Sequence, residues 1–477
     1  MAIAVDIKNF RSIRTTTLEL RPGLNILIGP NGSGKTNLLA GLKFLRDVFR
    51  QGVALAIAKG GGPVRNYYRG EDAIHFRLRQ DYGTRVFRRR RVPFALQWTM
   101  SVAQTGSEQI ATITREDLLI SAHVDGVDVP VLRIFVDRKV PSRPRTGVMI
   151  AEADIIGRSF LSTWEMQPNS DSKAVLRDRL NIFVEELMDR ARKDSDRTFF
   201  FDLAFLDSSM RDAVSTFTDM NEYNILPDLA RQSTDQLPFA EISPSGAGLS
   251  EVLHALKNNN FHRLSSAQDY EYPNVAFGGR FYASFTTVPL YQGARNRSLR
   301  QRRYQAFSGA LEKINEELSL AVRGVESVST RIDPSNGRRF VVFQSGDHEF
   351  RPEEVSDGTI KWVSILTSIF VPLSTTYLLE EPENFLHPWM QQQLIRIMRK
   401  QAADVGTMFL ITTHSATILN AAVPEEITVV GSEKSGTQTS RLEYRDDIQS
   451  VLDQSDFGLG DLWVSGAIGG IPGGGSE

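Results

Sequence analysis

Apolar positions follow two periods along this chain. In residues 3–7, 17–20 and 24–28 they alternate or run together briefly, which predicts strands, with Arg21-Pro22-Gly23 as the turn before the third. Leu38, Leu39, Leu42, Phe44 and Leu45 then fall at helical spacing. That helix is expected to run to about Ala58 and to stop at Lys59-Gly60-Gly61-Gly62-Pro63. Strand patterns return in residues 73–78, 94–100, 110–113, 118–123 and 131–136, spaced like the strands of an antiparallel meander. Residues 173–193 read as an amphipathic helix, and helical or mixed segments follow at 199–206, 210–217 and 249–256. Strands at 281–288 and 340–344 flank a helix at 307–322. Near the C-terminus two buried-type strands, 375–379 and 407–412, are separated by an amphipathic helix over 389–399. That β-α-β unit implies a parallel sheet.

Chemistry enters where the third strand meets the first helix. Gly29-Pro30-Asn31-Gly32-Ser33-Gly34-Lys35-Thr36 matches G-x-x-x-x-G-K-[ST], the phosphate-binding loop. Successive backbone N–H groups form a concave nest for phosphate oxygens at the positive end of a helix dipole. Asn31, Gly32, Ser33, Gly34, Lys35, Thr36 and Asn37 are therefore the candidate nucleotide-binding residues. Lys35 can reach the β- and γ-phosphates of ATP, and the Thr36 hydroxyl can bind Mg²⁺.

Three further stretches complete the candidate site. The strand through Leu378-Leu379 ends in Glu380-Glu381-Pro382-Glu383. A strand-end carboxylate, here Glu380, helps to hold Mg²⁺ in phosphate-loop enzymes, and Glu381 is placed to polarise the attacking water. The later strand ends in Thr412-Thr413-His414, where His414 can sense or stabilise the γ-phosphate. Ser356-Asp357-Gly358-Thr359 opens an apolar helix, so Ser356 and the N–H groups near Gly358 form either a second phosphate arrangement or a plain N-cap.

Composition narrows the class. Of 477 residues, 41% are hydrophobic and 23% charged, ordinary for a soluble globular protein. There is no Cys, which excludes thiolate metal sites and Cys nucleophiles and fits a reducing compartment. The N-terminus has no signal-peptide pattern, and the longest apolar run, 362–373, is too short to span a bilayer, so a cytoplasmic protein without membrane contact is expected. With a net charge of −2, any nucleic-acid surface must be a local patch. Two clusters qualify: Arg85 to Arg91, with Arg88, Arg89, Arg90 and Arg91, and the set Arg295, Arg297, Arg300, Arg302 and Arg303 near Tyr291 and Tyr304. Each is either a contact to DNA phosphates or a solvated segment. Gly-rich residues 469–475 read as disordered.

In their order along the chain these stretches resemble the ATP-binding-cassette-type (ABC-type) ATPase heads of the RecF/SMC/OLD group. Ile7-Lys8-Asn9-Phe10-Arg11-Ser12 is similar to that group's N-terminal strand end, Gly29 to Asn37 to its Walker A loop, and Ser356 to Thr359 to its shortened signature motif. Leu378 to His387 is similar to its Walker B and D-loop, and Thr412 to Ser415 to its switch His. The resemblance implies an α/β fold: a two-lobed ABC-type P-loop NTPase with a mixed or parallel core sheet, an antiparallel β subdomain and a mainly helical insertion. The expected division is 1–160 and 276–460 for the two halves of the head, 161–275 for the insertion and 461–477 for a flexible tail. It also implies ATP-dependent homodimers in which Lys35 and Thr36 of one subunit meet Ser356 of another across ATP. A glutamine should contact Mg²⁺, with Gln80, Gln97 and Gln104 as candidates. No long coiled coil separates the halves, and the end of the chain lacks the Glu and Asp-x-Asp set of a Toprim nuclease. Gly460 to Gly466 resembles the ends of standalone ATPases of bacterial anti-phage defence. Three functions are thus expected to compete: a sensor ATPase gating a separate nuclease or toxin, a RecF-like ATPase that binds DNA directly, and a non-catalytic scaffold. A transporter is disfavoured.

Overall fold

The computed structural model describes residues 2–87, 90–105, 110–138, 145–150, 185–203, 208–264, 307–433, 436–444, 448, 450–452 and 457–468. The second basic cluster, the strand expected at 281–288 and the Gly-rich residues 469–475 lie outside them. The chain divides into two compact units, Met1–Arg21 with Pro30–Asp219 and Val430–Ser440, and Pro22–Gly29 with Met220–Val429 and Arg441–Glu477.

The first unit is built on a seven-stranded antiparallel sheet. Its strands are β1 (Ile3–Phe10), β2 (Ile13–Leu20), β4 (Ala73–Phe87), β5 (Arg90–Thr105), β6 (Ile110–Val124), β7 (Val127–Asp137) and β8 (Arg145–Ile150), in the order β2-β1-β4-β5-β6-β7-β8. The strands are longer than the apolar alternation predicted. The segments expected at 110–113 and 118–123 are one strand, β6, because the polar residues between them have partners. Glu116 is fully buried and accepts hydrogen bonds from Trp98 Nε1 (2.9 Å), the Thr198 hydroxyl, and the backbone N–H groups of Phe199 and Phe200 (3.1 Å each). Of the first basic run, Arg85 to Phe87 end β4 and Arg90 and Arg91 open β5 with exposed side chains, while Arg88 and Arg89 are outside the described residues.

Against this sheet packs the helix Lys35–Gln51, whose buried face includes Leu38, Leu39, Leu42, Phe44, Leu45 and Val48. Phe44 stacks on Phe76 of β4 with ring centroids 5.5 Å apart and lies 5.6 Å from Phe10 of β1. The helix ends at Gln51 rather than near Ala58. Gly52 has φ +94°, and a Cβ there would lie 2.2 Å from the Asp196 carboxylate. Asp196 takes the N–H groups of Val53 (3.0 Å, through its carbonyl) and Ala54 (2.7 Å, through its carboxylate) and starts a second helix, Val53–Lys59. Helices also cover Phe199–Leu203, Ser208–Thr218 and residues 185–193, the described end of the amphipathic helix expected at 173–193.

The second unit contains a parallel sheet with strand order β15-β3-β14-β13-β9, formed by β3 (Leu24–Ile28), β9 (Met220–Tyr223), β13 (Thr376–Glu380), β14 (Met408–Thr412) and the start of β15 (Ile427–Glu433). β9 falls within the segment expected to be helical. Its alignment with β13 places Tyr223 over Tyr377, 5.7 Å apart and stacked, and Tyr377 in turn over Phe409. The helix Asp357–Phe370 is buried nearly throughout. It tolerates Ser364, Thr367 and Ser368 because each hydroxyl donates to a backbone carbonyl four residues earlier. The helix Pro388–Val405 connects β13 to β14. A small antiparallel sheet of β10 (Ser327–Ile332), β11 (Arg339–Ser345) and β12 (His348–Phe350) packs on the helices Leu249–Lys257 and Ala310–Ala321. Residues 461–468, expected to begin a flexible tail, are instead ordered: Leu459–Val464 is a helix, and Leu462, Trp463 and Ile468 are buried in the core of this unit. Gly460 N–H donates to Asn420 Oδ1 at 2.6 Å, which seats that helix on Ala416–Ala421.

Phe44 joins the helix that follows the phosphate loop to two strands of the sheet. Phe44→Ala is expected to lower stability by about 3–5 kcal/mol, read as a fall in thermal midpoint by circular dichroism.

Candidate nucleotide site

The first part of the site is the start of the helix Lys35–Gln51. β3 ends at Ile28, and the chain continues into a loop that turns on Gly29 (φ +157°), Gly32 (φ +80°) and Gly34 (φ +104°). Gly34 occupies the N-cap position, no side chain caps the helix, and its first turn has no acidic residue. A helix start with neither a side-chain cap nor a first-turn acid suits a bound phosphate. Gly34 is required twice over, by its left-handed backbone and because a Cβ would lie 2.2 Å from Thr437 Oγ1. Ser33 is buried, and its Oγ has no hydrogen-bond partner. The Lys35 ammonium donates to the Pro30 carbonyl at 3.1 Å, within its own loop. An orphaned hydroxyl, an uncapped helix start and a lysine folded over the loop fit a triphosphate. Gly32 has open space where a Cβ would be, and Thr36 and Asn31 are exposed.

Asn37 also has a contact inside the protein. Its Nδ2 donates to Ser12 Oγ at 2.7 Å, and Ser12 Oγ is 3.0 Å from Thr437 Oγ1. Asn37, Ser12 and Thr437 thus brace the loop from outside it. Thr437 carries no motif signal, since it acts from 403 positions away in the sequence as the atom nearest Gly34. Gln80, Gln97 and Gln104 all lie on β4 or β5, none of them in a loop, and Gln80 is buried.

A second group of candidate residues, in the second unit, lies at the carboxyl ends of β13 and β14. Glu380, half-buried, is the last residue of β13 and is in register with Thr412. Glu381 follows with φ +43°, an uncommon conformation for a residue with a side chain. Its N–H donates to the Thr412 carbonyl at 3.0 Å, its Oε2 accepts from Asn384 Nδ2 at 3.1 Å, and its Oε1 lies 3.9 Å from His414 Nε2. Glu383 fixes the His414 loop, since its Oε1 accepts from Thr413 Oγ1 at 2.7 Å and from His414 N–H at 2.8 Å. No functional role for Glu383 had been read from the sequence.

The helix Asp357–Phe370 begins with Ser356 as its N-cap, the Ser356 Oγ accepting from Thr359 N–H at 3.2 Å. Ser356 thus caps this helix, and it and Asp357 stay exposed. Arg231 pins this turn: it pairs with Asp357 at 2.6 Å and donates to the carbonyls of Pro352 and Val355, both at 2.9 Å. Gly358 lets the helix meet the next turn closely, because a Cβ there would lie 2.5 Å from the Phe385 carbonyl. Beside it, Lys361 is 3% exposed. Burial pushes its ammonium down to about 8, against the upward pull of Glu383 and Glu381. Among the described residues, no group of three or more His, Asp or Glu side chains is arranged to hold a metal ion.

Residues 190–420 match a family model described as "AAA domain, putative AbiEii toxin, Type IV TA system", and residues 4–130 match one described as "AAA domain". Together they cover the loop at Lys35 and the segments of Ser356, Glu381 and His414. The DNA replication and repair protein RecF of Moorella thermoacetica is 57% identical over 41 residues, covering 9% of this chain and 11% of RecF. The chain carries AAA-type ATPase domains, and in these segments it is similar to the ABC-type heads of the RecF/SMC group. The DNA double-strand break repair Rad50 ATPase of Methanopyrus kandleri is 54% identical over 35 residues, 7% of this chain and 4% of Rad50. The chain thus aligns with only a small part of these curated relatives' lengths. An SMC head solved with the C-winged helix domain of ScpA is 10% identical, with 94% of this chain and 98% of that chain covered, at a TM-score of 0.45.

Because Gly34 is both left-handed and pressed on Thr437, Gly34→Ala is expected to weaken binding of a fluorescent ATP analogue by about 100-fold or more, the cost of about 1–2 kcal/mol for the backbone adding to that of the clash. Asn31→Ala, at an exposed position of the same loop, should change affinity by less than about threefold.

Proposed function

We propose that the chain hydrolyses ATP with Mg²⁺ as cofactor. In this reading it pairs with a second copy through composite ATP sites. It acts in the cytoplasm as the sensor or regulatory subunit of an anti-phage defence system that controls a separate effector, a nuclease or toxin. The observation that carries hydrolysis is Glu381, a carboxylate held at a strand end in a left-handed turn and facing His414. Its role is to take a proton from water while the water oxygen bonds to the γ-phosphorus and the bond to the β–γ bridging oxygen breaks, releasing ADP and phosphate. Lys35 and the loop N–H groups stabilise the charge on the phosphate oxygens, and His414 stabilises the γ-phosphate. Mg²⁺, held through Thr36 and Glu380, would neutralise the β- and γ-phosphate oxygens.

Pairing is supported by the exposed helix start at Ser356 and by Phe385, an aromatic residue 60% exposed on the neighbouring turn. In the pair, Ser356 and the N–H groups near Gly358 of one copy face the γ-phosphate bound by the other. The defence role rests on the likeness at Gly460 to Gly466 and on a family description that names a toxin–antitoxin system.

Direct DNA binding is a second reading, favoured by one observation. The outer face of β1, β4, β5, β6 and β7 forms a groove of about 680 Å³. It carries Lys8, Arg77, Arg79, Arg115 and Arg133 against the acids Asp6 and Asp117. Asp6 pairs with Arg79 at 2.8 Å and Asp117 with Arg133 at 2.6 Å, which leaves the face net positive.

Glu381→Gln is expected to retain ATP, to dimerise more stably and to lose turnover by about 10²- to 10⁴-fold, measured by phosphate release and by light scattering with and without ATP; unchanged hydrolysis contradicts the role given to Glu381. Ser356→Arg should leave ATP binding intact while abolishing both dimerisation and turnover, and full activity would return the phosphate loop to acting alone. If DNA is the partner, affinity should fall by roughly 10³-fold or more between 50 and 200 mM salt, whereas weak binding without that slope argues against it.

A further inference from the structure

We propose that Lys361 is a positioning residue for Glu381, holding the turn at 381–385 against the helix that begins at Ser356, so that the catalytic carboxylate depends on that helix for its placement. The inference rests on the ATPase reading and names a control element within it.

Gly358 and Lys361 are three residues apart and share one helix face. Both meet the same turn: Gly358 lies under the Phe385 carbonyl, and the Lys361 ammonium sits 5.6 Å from the centre of the Phe385 ring. That turn is strained at both ends, with Glu381 at φ +43° and Phe385 at φ +70°. Conformations of this kind cost about 1–3 kcal/mol each and persist only where the surroundings over-determine them. Within the turn, Asn384 N–H donates to the Glu381 carbonyl at 3.2 Å and Leu386 N–H to the Glu383 carbonyl at 2.9 Å. Glu383 anchors it to the His414 loop through one carboxylate oxygen, whereas its other oxygen, Oε2, is buried without a hydrogen bond.

A carboxylate in that position needs a nearby cation. Lys361, whose ammonium lies over the Phe385 ring of the same turn, is a cation at that turn, and Glu383 and then Glu381 favour its charged form without a direct ion pair to either. Keeping a lysine that is only 3% exposed in this buried helix is costly, and an apolar side chain would serve packing alone better. Without the ammonium, Glu383 carries an uncompensated buried charge and turns toward water. It then releases Thr413 and His414, and Glu381 loses its fixed position.

The test uses the full chain and compares wild type, Lys361→Met, Lys361→Arg and Lys361→Met/Glu383→Gln by ATP turnover, nucleotide binding and thermal midpoint. Lys361→Met is expected to lower kcat by about 10- to 100-fold, with KM and nucleotide affinity within about threefold of wild type and the thermal midpoint little changed. Lys361→Arg should restore most of kcat. The double variant should exceed Lys361→Met alone, because an amide at 383 needs no cation. A Lys361→Met kcat within about twofold of wild type overturns the proposal. So does a parallel loss of kcat, affinity and thermal midpoint that neither Arg nor the second substitution repairs, which marks a purely structural lysine. Absence of wild-type turnover sensitive to Lys35→Ala is a different failure: it removes the ATPase reading itself, and the role of Lys361 with it.

Discussion

The site depends on a helix that begins with neither a side-chain cap nor an acid in its first turn. Most helices satisfy the first turn with a Ser, Thr, Asp or Asn cap; here the N-cap is Gly34, the first turn has no acid, and the nearby Ser33 hydroxyl has no partner. Such an arrangement is stable only if the backbone is held from outside. Thr437 closes the space beside Gly34, Ser12 links Thr437 to Asn37, and the apolar face behind the loop, with Phe44 between Phe10 and Phe76, ties the helix to the antiparallel sheet. The uncapped helix start is what a phosphate would meet, and the packing around it holds the loop in place.

The carboxylates follow a related logic. Parallel strands buried on both faces have apolar interiors and place polar residues at their ends. β13 and β14 do this with Glu380-Glu381 and Thr412-Thr413-His414, in register through Glu380 and Thr412. The turn beyond β13 stores strain at Glu381 and Phe385, and it is restrained by Glu383, Asn384 and the helix carrying Gly358 and Lys361. The Glu381 carboxylate is thus oriented by neighbours on its own turn and on the helix that begins at Ser356.

The legible parts of the fold were those whose chemistry is local. The phosphate loop, the acidic strand end, the His-bearing strand end and the helix start at Ser356 each occupy a few consecutive residues, and the apolar run of each strand gives its context. What was not legible depended on distant partners. Gly52 ends the first helix because Asp196 takes the next N–H groups. β9 has only Met220 and Tyr223 as apolar residues and is a strand because of its pairing with β13. β6 continues through Arg115-Glu116-Asp117 because Glu116 has four donors in the core. The helix at 459–464 is ordered by Asn420 and buried Trp463, though the Gly-rich sequence beyond it suggested a tail. In the site, Thr437, Arg231 and Lys361 carry no motif and are recognisable only from what they touch.

The central claim is that the bare helix start and Lys35 form a triphosphate site. Calorimetric titration of a slowly hydrolysed ATP analogue with Mg²⁺ into the wild-type chain and into Lys35→Ala tests it most directly. The account predicts one site per chain in the wild type and at least about tenfold weaker binding in the variant, the loss of a charged hydrogen-bond donor to phosphate being worth about 1.5–3 kcal/mol. Equal affinity in the two proteins, or no binding to either, would contradict it.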